Sequence, residues 1–253
     1  EMVRAENLPL LGEEQKVITE YDEIAGAQTI QWEGKELTLS QMQPIYQEPD
    51  RALRERAWRA AFGRALQDRE KINSLWQKFL NLRLKMAANA GKPDYRAFRW
   101  VQLHRFDYSP EDSKKFQDAI EKVVVPAAVR IYERRRKKLG LESLRPWDLN
   151  VDISGKPPLR PFKRISRLYA RASAIFHKVD AQIGEYFDIM QREDRMDLAN
   201  RKSKGPGAYC MPYMLERKPF IFGNSVGLHN DLQTVLHECG HAFHTFESAK
   251  LPY

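Results

Sequence analysis

The sequence has little cysteine and no long apolar run. Only two cysteines, Cys210 and Cys239, occur among its 253 residues, which excludes a disulfide-stabilised scaffold and favours a reducing compartment, the cytoplasm. No run of eighteen apolar residues is present, so neither a membrane span nor a membrane partner is expected. The first residues lack an apolar signal-peptide core and an initiator methionine at position one. Both ends are therefore expected to be cut from a longer chain.

The composition is that of a soluble globular chain with a basic surface. Hydrophobic residues make up 42% of the sequence and charged residues 30%, and the formal net charge is +8. The densest basic run, residues 134–138, stands just before Gly140, where cations complement the C-terminal end of a helix dipole. This position favours a solvated helix end over a phosphate-binding patch. Because basic and aromatic residues are not interleaved, no nucleic-acid partner is expected.

Most of the chain has the apolar spacing of α-helices. The pattern predicts a mainly α fold, with a short β-hairpin around Gly34 and a proline-rich loop over residues 145–162. The helical regions are predicted over residues 13–28, 49–90 with a break near Asp68, 109–139 with a kink at Pro126, and 163–191.

The strongest chemical signal is the pentapeptide H-E-C-G-H at residues 237–241, inside an apolar stretch over residues 232–246. On a helix, His237 and His241 lie one above the other on the same face, and neutral imidazoles are good zinc ligands. Glu238, beside the first histidine, can take a proton from a water molecule that the metal activates. This combination is typical of hydrolysis, most often of peptide bonds.

The same helix leaves the third zinc ligand open. In the metzincin pattern that ligand stands six positions after the second histidine, where this chain has Glu247, but His244 replaces the glycine that turns the chain back. A continuous helix puts Glu247 about 9 Å further along the axis and on another face. It also separates His244 from His237 by about 10 Å. The sequence therefore favours a third ligand outside this chain, with Glu247 or His244 as the alternative.

Before the motif, the helical pattern of the sequence gives way to a glycine turn and short strand-like runs. A glycine turn at residues 205–207 is followed by strand-like runs at 208–211 and 218–223, and Asn230 or Asp231 can cap the next helix. An edge strand beside a zinc helix can hold an extended peptide by main-chain hydrogen bonds. The alternative, a hairpin that only supports the helix, remains open from the pattern alone.

These motifs resemble peptidase family M3, the group of zinc oligopeptidases that includes thimet oligopeptidase and oligoendopeptidase F. The resemblance is sharpest over the last sixty residues and rests on four segments. They are Asp197-Leu198 with Arg201, the run K-G-P-G-A-Y at 204–209, F-I-F-G-N at 220–224, and T-V-L-H-E-C-G-H-A-F-H at 234–244.

The resemblance implies a nearly all-helical fold around a deep narrow channel, with short peptides as substrates. It implies one zinc ion per active site, held by His237 and His241, with Glu238 as the base that activates water. It implies that Gly207, Ala208 and Tyr209 lie along the substrate backbone. The third ligand is implied to be a glutamate about twenty-five residues past the second histidine, and the oxyanion-stabilising groups come later still.

The sequence thus predicts a single partial catalytic domain over residues 1–253. Its parts are a helical region at 1–196, a substrate-strand hairpin at 197–224 and a zinc helix at 229–247. The predicted activity is that of a zinc-dependent metalloendopeptidase that hydrolyses short peptides. The alternative is a non-catalytic helical module, with a basic surface for acidic partners and structural histidines. The sequence leaves the cleavage specificity and the oligomeric state open.

Overall fold

The computed structural model describes residues 4–251 and is mainly helical, as the sequence predicts. No helix of this described range is both long and apolar enough to cross a membrane. The α-helices of the range are α1 Asn7–Gly26, α2 Leu39–Met42, α3 Arg51–Leu66, α4 Arg69–Asn89, α5 Tyr95–Gln102, α6 Pro110–Ala119, α7 Val125–Lys138, α8 Ile165–Val179, α9 Ala181–Arg192 and α10 His229–Ser248.

Two small sheets accompany the helices. The predicted hairpin around Gly34 is present, with β1 Thr29–Trp32 antiparallel to β2 Lys35–Thr38. The second sheet has the order β3-β5-β4, where β3 Met196–Ala199 runs parallel and β4 Tyr209–Tyr213 antiparallel to β5 Lys218–Ser225. The β4–β5 pair is the predicted hairpin, and the parallel strand β3 is an addition that the pattern did not reveal. Strand β4 lies at one edge of this sheet.

The chain divides into two compact units, so the prediction of a single partial domain stays a prediction. The first unit comprises Glu1–Ile24 and Leu66–Leu149. Its small core is formed by α4 and α5 around Met86 and Phe98. The buried Asn7 amide in α1 donates a hydrogen bond to the Met86 carbonyl at 3.0 Å.

Two helix boundaries in this unit follow from local chemistry. Ser109 caps α6, because its hydroxyl accepts the Asp112 N–H while the Asp112 carboxylate accepts the Ser109 N–H. The expected kink near Pro126 coincides with a π-helical turn over Ile120–Val124, immediately before α7. A π-turn changes the hydrogen-bond ladder at the point where proline cannot donate.

The second unit comprises Ala25–Ala65 and Asn150–Tyr253 and contains the H-E-x-x-H motif. Helices α8, α9 and α10 and the three-stranded sheet enclose its core. One apolar side of α10 enters this core through Val235, Cys239 and Ala242. The other core residues are Phe162, Leu168, Ala172, Phe176, Phe187, Met190, Met196, Leu198 and Ile221. Burial of that side fixes the rotation of α10, which leaves the histidine side exposed.

Candidate functional site

The start of α10 is held by a carboxylate inside its first turn. The Asp231 Oδ2 atom accepts the backbone N–H groups of Val226, Gly227 and Leu228 at 2.7 to 2.8 Å. Asp231, one of the two predicted capping residues, therefore lies inside α10, which begins at His229. Its carboxylate binds the segment that precedes the helix. Burial raises the pKa of Asp231, and the three N–H donors oppose that rise.

The motif histidines are brought together on the exposed side of α10. Their Nε2 atoms lie 3.3 Å apart, and their ring planes are nearly perpendicular. Two ligand nitrogens bound to one tetrahedral zinc at about 2.0–2.1 Å are themselves about 3.3–3.4 Å apart. The spacing of the pair thus fits two corners of a zinc tetrahedron.

Glu238 lies between the histidine side of α10 and the core. It is 9% exposed, and it lines a cavity of about 330 Å³ together with Gly207 and Ala208. Cys239, the next residue, is fully buried in the core, and Cys210 on β4 packs against the same core. Both thiols therefore pack as small apolar side chains.

The third ligand is not supplied by the residues after the motif. Helix α10 continues without a turn through Ser248, so Glu247 lies on another side, where it accepts hydrogen bonds from Tyr186 at 2.6 Å and Lys250 at 2.8 Å. Within residues 4–251, no three His, Cys, Asp or Glu side chains are grouped so that they could hold a metal ion. The alternative in which Glu247 or His244 completes the site is therefore wrong.

The predicted substrate segment begins just before a strand. Tyr209 is the first residue of β4, whereas Gly207 and Ala208 precede the strand and Gly207 has a φ of +91°. The Tyr209 ring is exposed and stacks on Phe222 of β5, with ring centroids 5.0 Å apart. The structure brings Gly207 and Ala208 to the Glu238 cavity, while the Tyr209 ring lies against the sheet.

A buried lysine holds the loop that leads into β4. The Lys204 side chain is 1% exposed, and its ammonium donates to the Asp197 and Ala199 carbonyls at 2.8 and 2.9 Å. It also lies 2.9 Å from the Asp197 carboxylate and 4.4 Å from the centre of the Phe222 ring. Burial lowers the pKa of Lys204, whereas Arg201 holds the pKa of Asp197 at about 2. The ammonium is thus fully paired.

Asparagines fix the other side of this loop. The Asn224 amide donates to the Gly205 and Gly207 carbonyls at 2.8 and 3.0 Å, and its oxygen accepts the Asn200 amide. Gly26 completes the support, because a Cβ there would lie 2.8 Å from the Lys204 carbonyl oxygen. The sequence pattern predicts no role for Lys204, Asn224 or Gly26. The one available signal of such a role is the lysine that stands directly before Gly-Pro-Gly.

Replacing Lys204 with methionine in the full-length protein should loosen this loop. Methionine keeps a long stem but leaves the paired acceptors unsatisfied, so unfolding should become about 3 kcal/mol easier. Hydrogen–deuterium exchange over residues 205–213 should also increase. The matched control is Lys202→Met, since the exposed Lys202 pairs with Glu36 and its loss should cost less than about 1 kcal/mol. Equal exchange in both variants would contradict the role given to Lys204.

Comparisons with known proteins place this chain in a protein family. The sequence profile described as Peptidase family M3 matches residues 45–252. PZ peptidase A, solved with an inhibitor, has 31% identity and a TM-score of 0.91, with 99% of this chain and 44% of that chain covered. A protein assigned as oligoendopeptidase F from Bacillus anthracis str. Ames has 26% identity and a TM-score of 0.92, with 99% and 46% covered.

A second structure assigned as oligoendopeptidase F has 28% identity and a TM-score of 0.91, with 99% of this chain and 44% of that chain covered. The chain therefore spans less than half the length of these solved structures. No curated protein sequence matches it. The profile match covers most of the chain, and the similarity in fold extends over almost all of it. The chain belongs to Peptidase family M3.

Proposed function

We propose that this chain forms part of a zinc-dependent endopeptidase that hydrolyses short peptides. The observation that carries the proposal is the pair of Nε2 atoms 3.3 Å apart, with a carboxylate one residue after the first histidine. The membership in Peptidase family M3 supports peptide-bond hydrolysis as the reaction. The restriction to short peptides rests on the family resemblance.

His237 and His241 would hold the zinc ion. Both side chains are exposed, so no rearrangement of the core is needed for a metal to reach them. When bound, zinc supplies a Lewis acid for the scissile carbonyl and lowers the pKa of water toward about 7. A catalytic zinc usually has three protein ligands, so we propose that the third comes from outside residues 4–251.

Glu238 would act as the general base. Glu238 lines the cavity and directly follows His237 in α10, so its carboxylate can accept a proton from the attacking water and later pass it to the leaving amine. The helix that carries Glu238 is anchored in the core, which keeps the carboxylate in place between turnovers.

Strand β4 would bind the substrate backbone. It is an edge strand, so its free side can pair with an extended peptide, and Gly207 and Ala208 lie where that strand meets the Glu238 cavity. The clamped loop over residues 200–208 holds this strand before substrate arrives. Such preorganisation lowers the entropy cost of binding.

Removal and return of the metal tests the proposal. Chelation of the full-length protein should abolish cleavage of an internally quenched fluorescent peptide, because water activation needs the metal. One equivalent of zinc should restore the cleavage. A protein that binds no metal, together with salt-sensitive binding to an acidic partner, would instead support the non-catalytic module.

A further inference from the structure

The cavity beside Glu238 is large enough to hold one substrate side chain. Its volume of about 330 Å³ is near the lower limit for small-molecule sites. Its wall is formed by the first turns of α10, strand β5 from Ile221 to Ser225, Leu198 of β3, the Gly207-Ala208 segment, and Ser40 and Gln43. Because Glu238 is also part of this wall, a group in the cavity lies next to the proposed reacting centre.

Several polar side chains of this wall have no hydrogen-bond partner within the described part of the chain. The residues Ser40, Ser225 and Thr234 are half-buried, and among residues 4–251 none of their hydroxyl groups makes a hydrogen bond to another residue. The neighbouring Asn224, by contrast, uses its amide fully within the loop clamp. An apolar occupant would cover these hydroxyl groups without replacing the hydrogen bonds that they can make with water, and this loss costs free energy. An occupant with its own donors and acceptors would satisfy them.

The charge of the cavity wall disfavours a charged substrate side chain. Among the residues that the structure describes, Asp231 and Glu238 are the only ionisable members of the wall, and no lysine, arginine or histidine lines it. A carboxylate in the cavity would therefore meet two acidic side chains and no cation. A cationic side chain would pair with Glu238 and compete with its action as a base. The uncharged polar side chains remain as the favoured class.

We propose that this cavity is the subsite for one substrate side chain next to the scissile bond, and that it selects serine, threonine, asparagine or glutamine. The inference rests on the proposed function and adds a substrate preference to it. Thr234 is the specificity-determining residue, because it lines the cavity one helical turn before Glu238 and carries a hydroxyl group without a partner among residues 4–251.

The test uses peptides that differ at one position on either side of the cleaved bond. Asparagine, leucine and aspartate have similar shapes but differ in hydrogen bonding and charge. At one of the two positions, the full-length protein should cleave the asparagine peptide with a kcat/KM about tenfold above those of the leucine and aspartate peptides. Thr234→Val, which removes only the hydroxyl group, should reduce the asparagine-over-leucine ratio about fivefold.

Two further variants complete the design. Thr19→Val is the matched control, because Thr19 lies on an exposed side of α1 and does not line the cavity. It should leave the ratio unchanged. Ser225→Ala provides an independent measurement if Thr234→Val folds poorly. Cleavage without any preference for asparagine, or with a preference for leucine, would overturn the subsite and leave the peptidase intact. Failure to cleave any peptide would overturn the proposed function and the subsite with it.

Discussion

Replacing Glu238 with glutamine should lower the turnover of a peptide by about 10²- to 10⁴-fold in the full-length protein, with the bound zinc retained. Glutamine has nearly the same shape and keeps a hydrogen-bonding oxygen, but it cannot accept the proton of the attacking water. The histidine pair is untouched, so the metal content should equal that of the wild type. The measurement combines single-turnover peptide cleavage with metal analysis of the same sample.

The matched control for this variant is Glu247→Gln. Glu247 is on the same helix, and its replacement by glutamine removes the same charge. Its carboxylate, however, accepts hydrogen bonds from Tyr186 and Lys250, and Glu247 does not line the Glu238 cavity. Its turnover should stay within about twofold of the wild type. If Glu238→Gln retained wild-type turnover, another group would have to be the base and the proposed mechanism would be wrong.

The helices of this chain could be predicted because their signals are local. The break near Asp68 separates α3 from α4, and a helix over His229–Ser248 occupies the segment predicted to be helical over residues 229–247. Helix α10 also continues past His244, as the replacement of the turn-forming glycine of the metzincin pattern predicts. In each case, caps and apolar spacing within one segment determine the outcome.

The third strand and the loop clamp could not be predicted in the same way. Strand β3 pairs in parallel with β5 across more than twenty residues, and its four residues carry no periodic signal that selects the partner. The role of Lys204 depends on carbonyl groups of β3, and that of Asn224 on carbonyl groups of the loop. Such contacts exist only once tertiary packing is complete.

The candidate site likewise has one part that local sequence indicates and another part that depends on tertiary packing. The sequence identified His237, His241 and Glu238 from their spacing, and the structure adds the distance between the imidazoles. The cavity beside Glu238 is built from segments nearly two hundred residues apart, from Ser40 to Glu238. No pattern in either segment reveals that they meet. The sequence alone therefore suggests ligands and a base for the site but not the shape of the cavity beside them.

Replacing His241 with alanine should weaken zinc binding by more than about 100-fold in the full-length protein. The remaining His237 would hold the metal with one fewer ligand, and peptide cleavage should fall in parallel. Because His241 is exposed, its truncation leaves no cavity in the core, so the helix content measured by circular dichroism should not change. Zinc affinity is measured by competition with a chromogenic chelator.

His244→Ala provides the matched control on the same helix. His244 is also exposed, but it lies one turn beyond His241 and lines a separate cavity with Tyr213 and Arg217. Because two imidazole nitrogens 3.3 Å apart are what fits one tetrahedral ion, loss of a histidine outside that pair should leave zinc affinity within about twofold of the wild type. Equal weakening by both variants would show that the ion is not held by the His237–His241 pair.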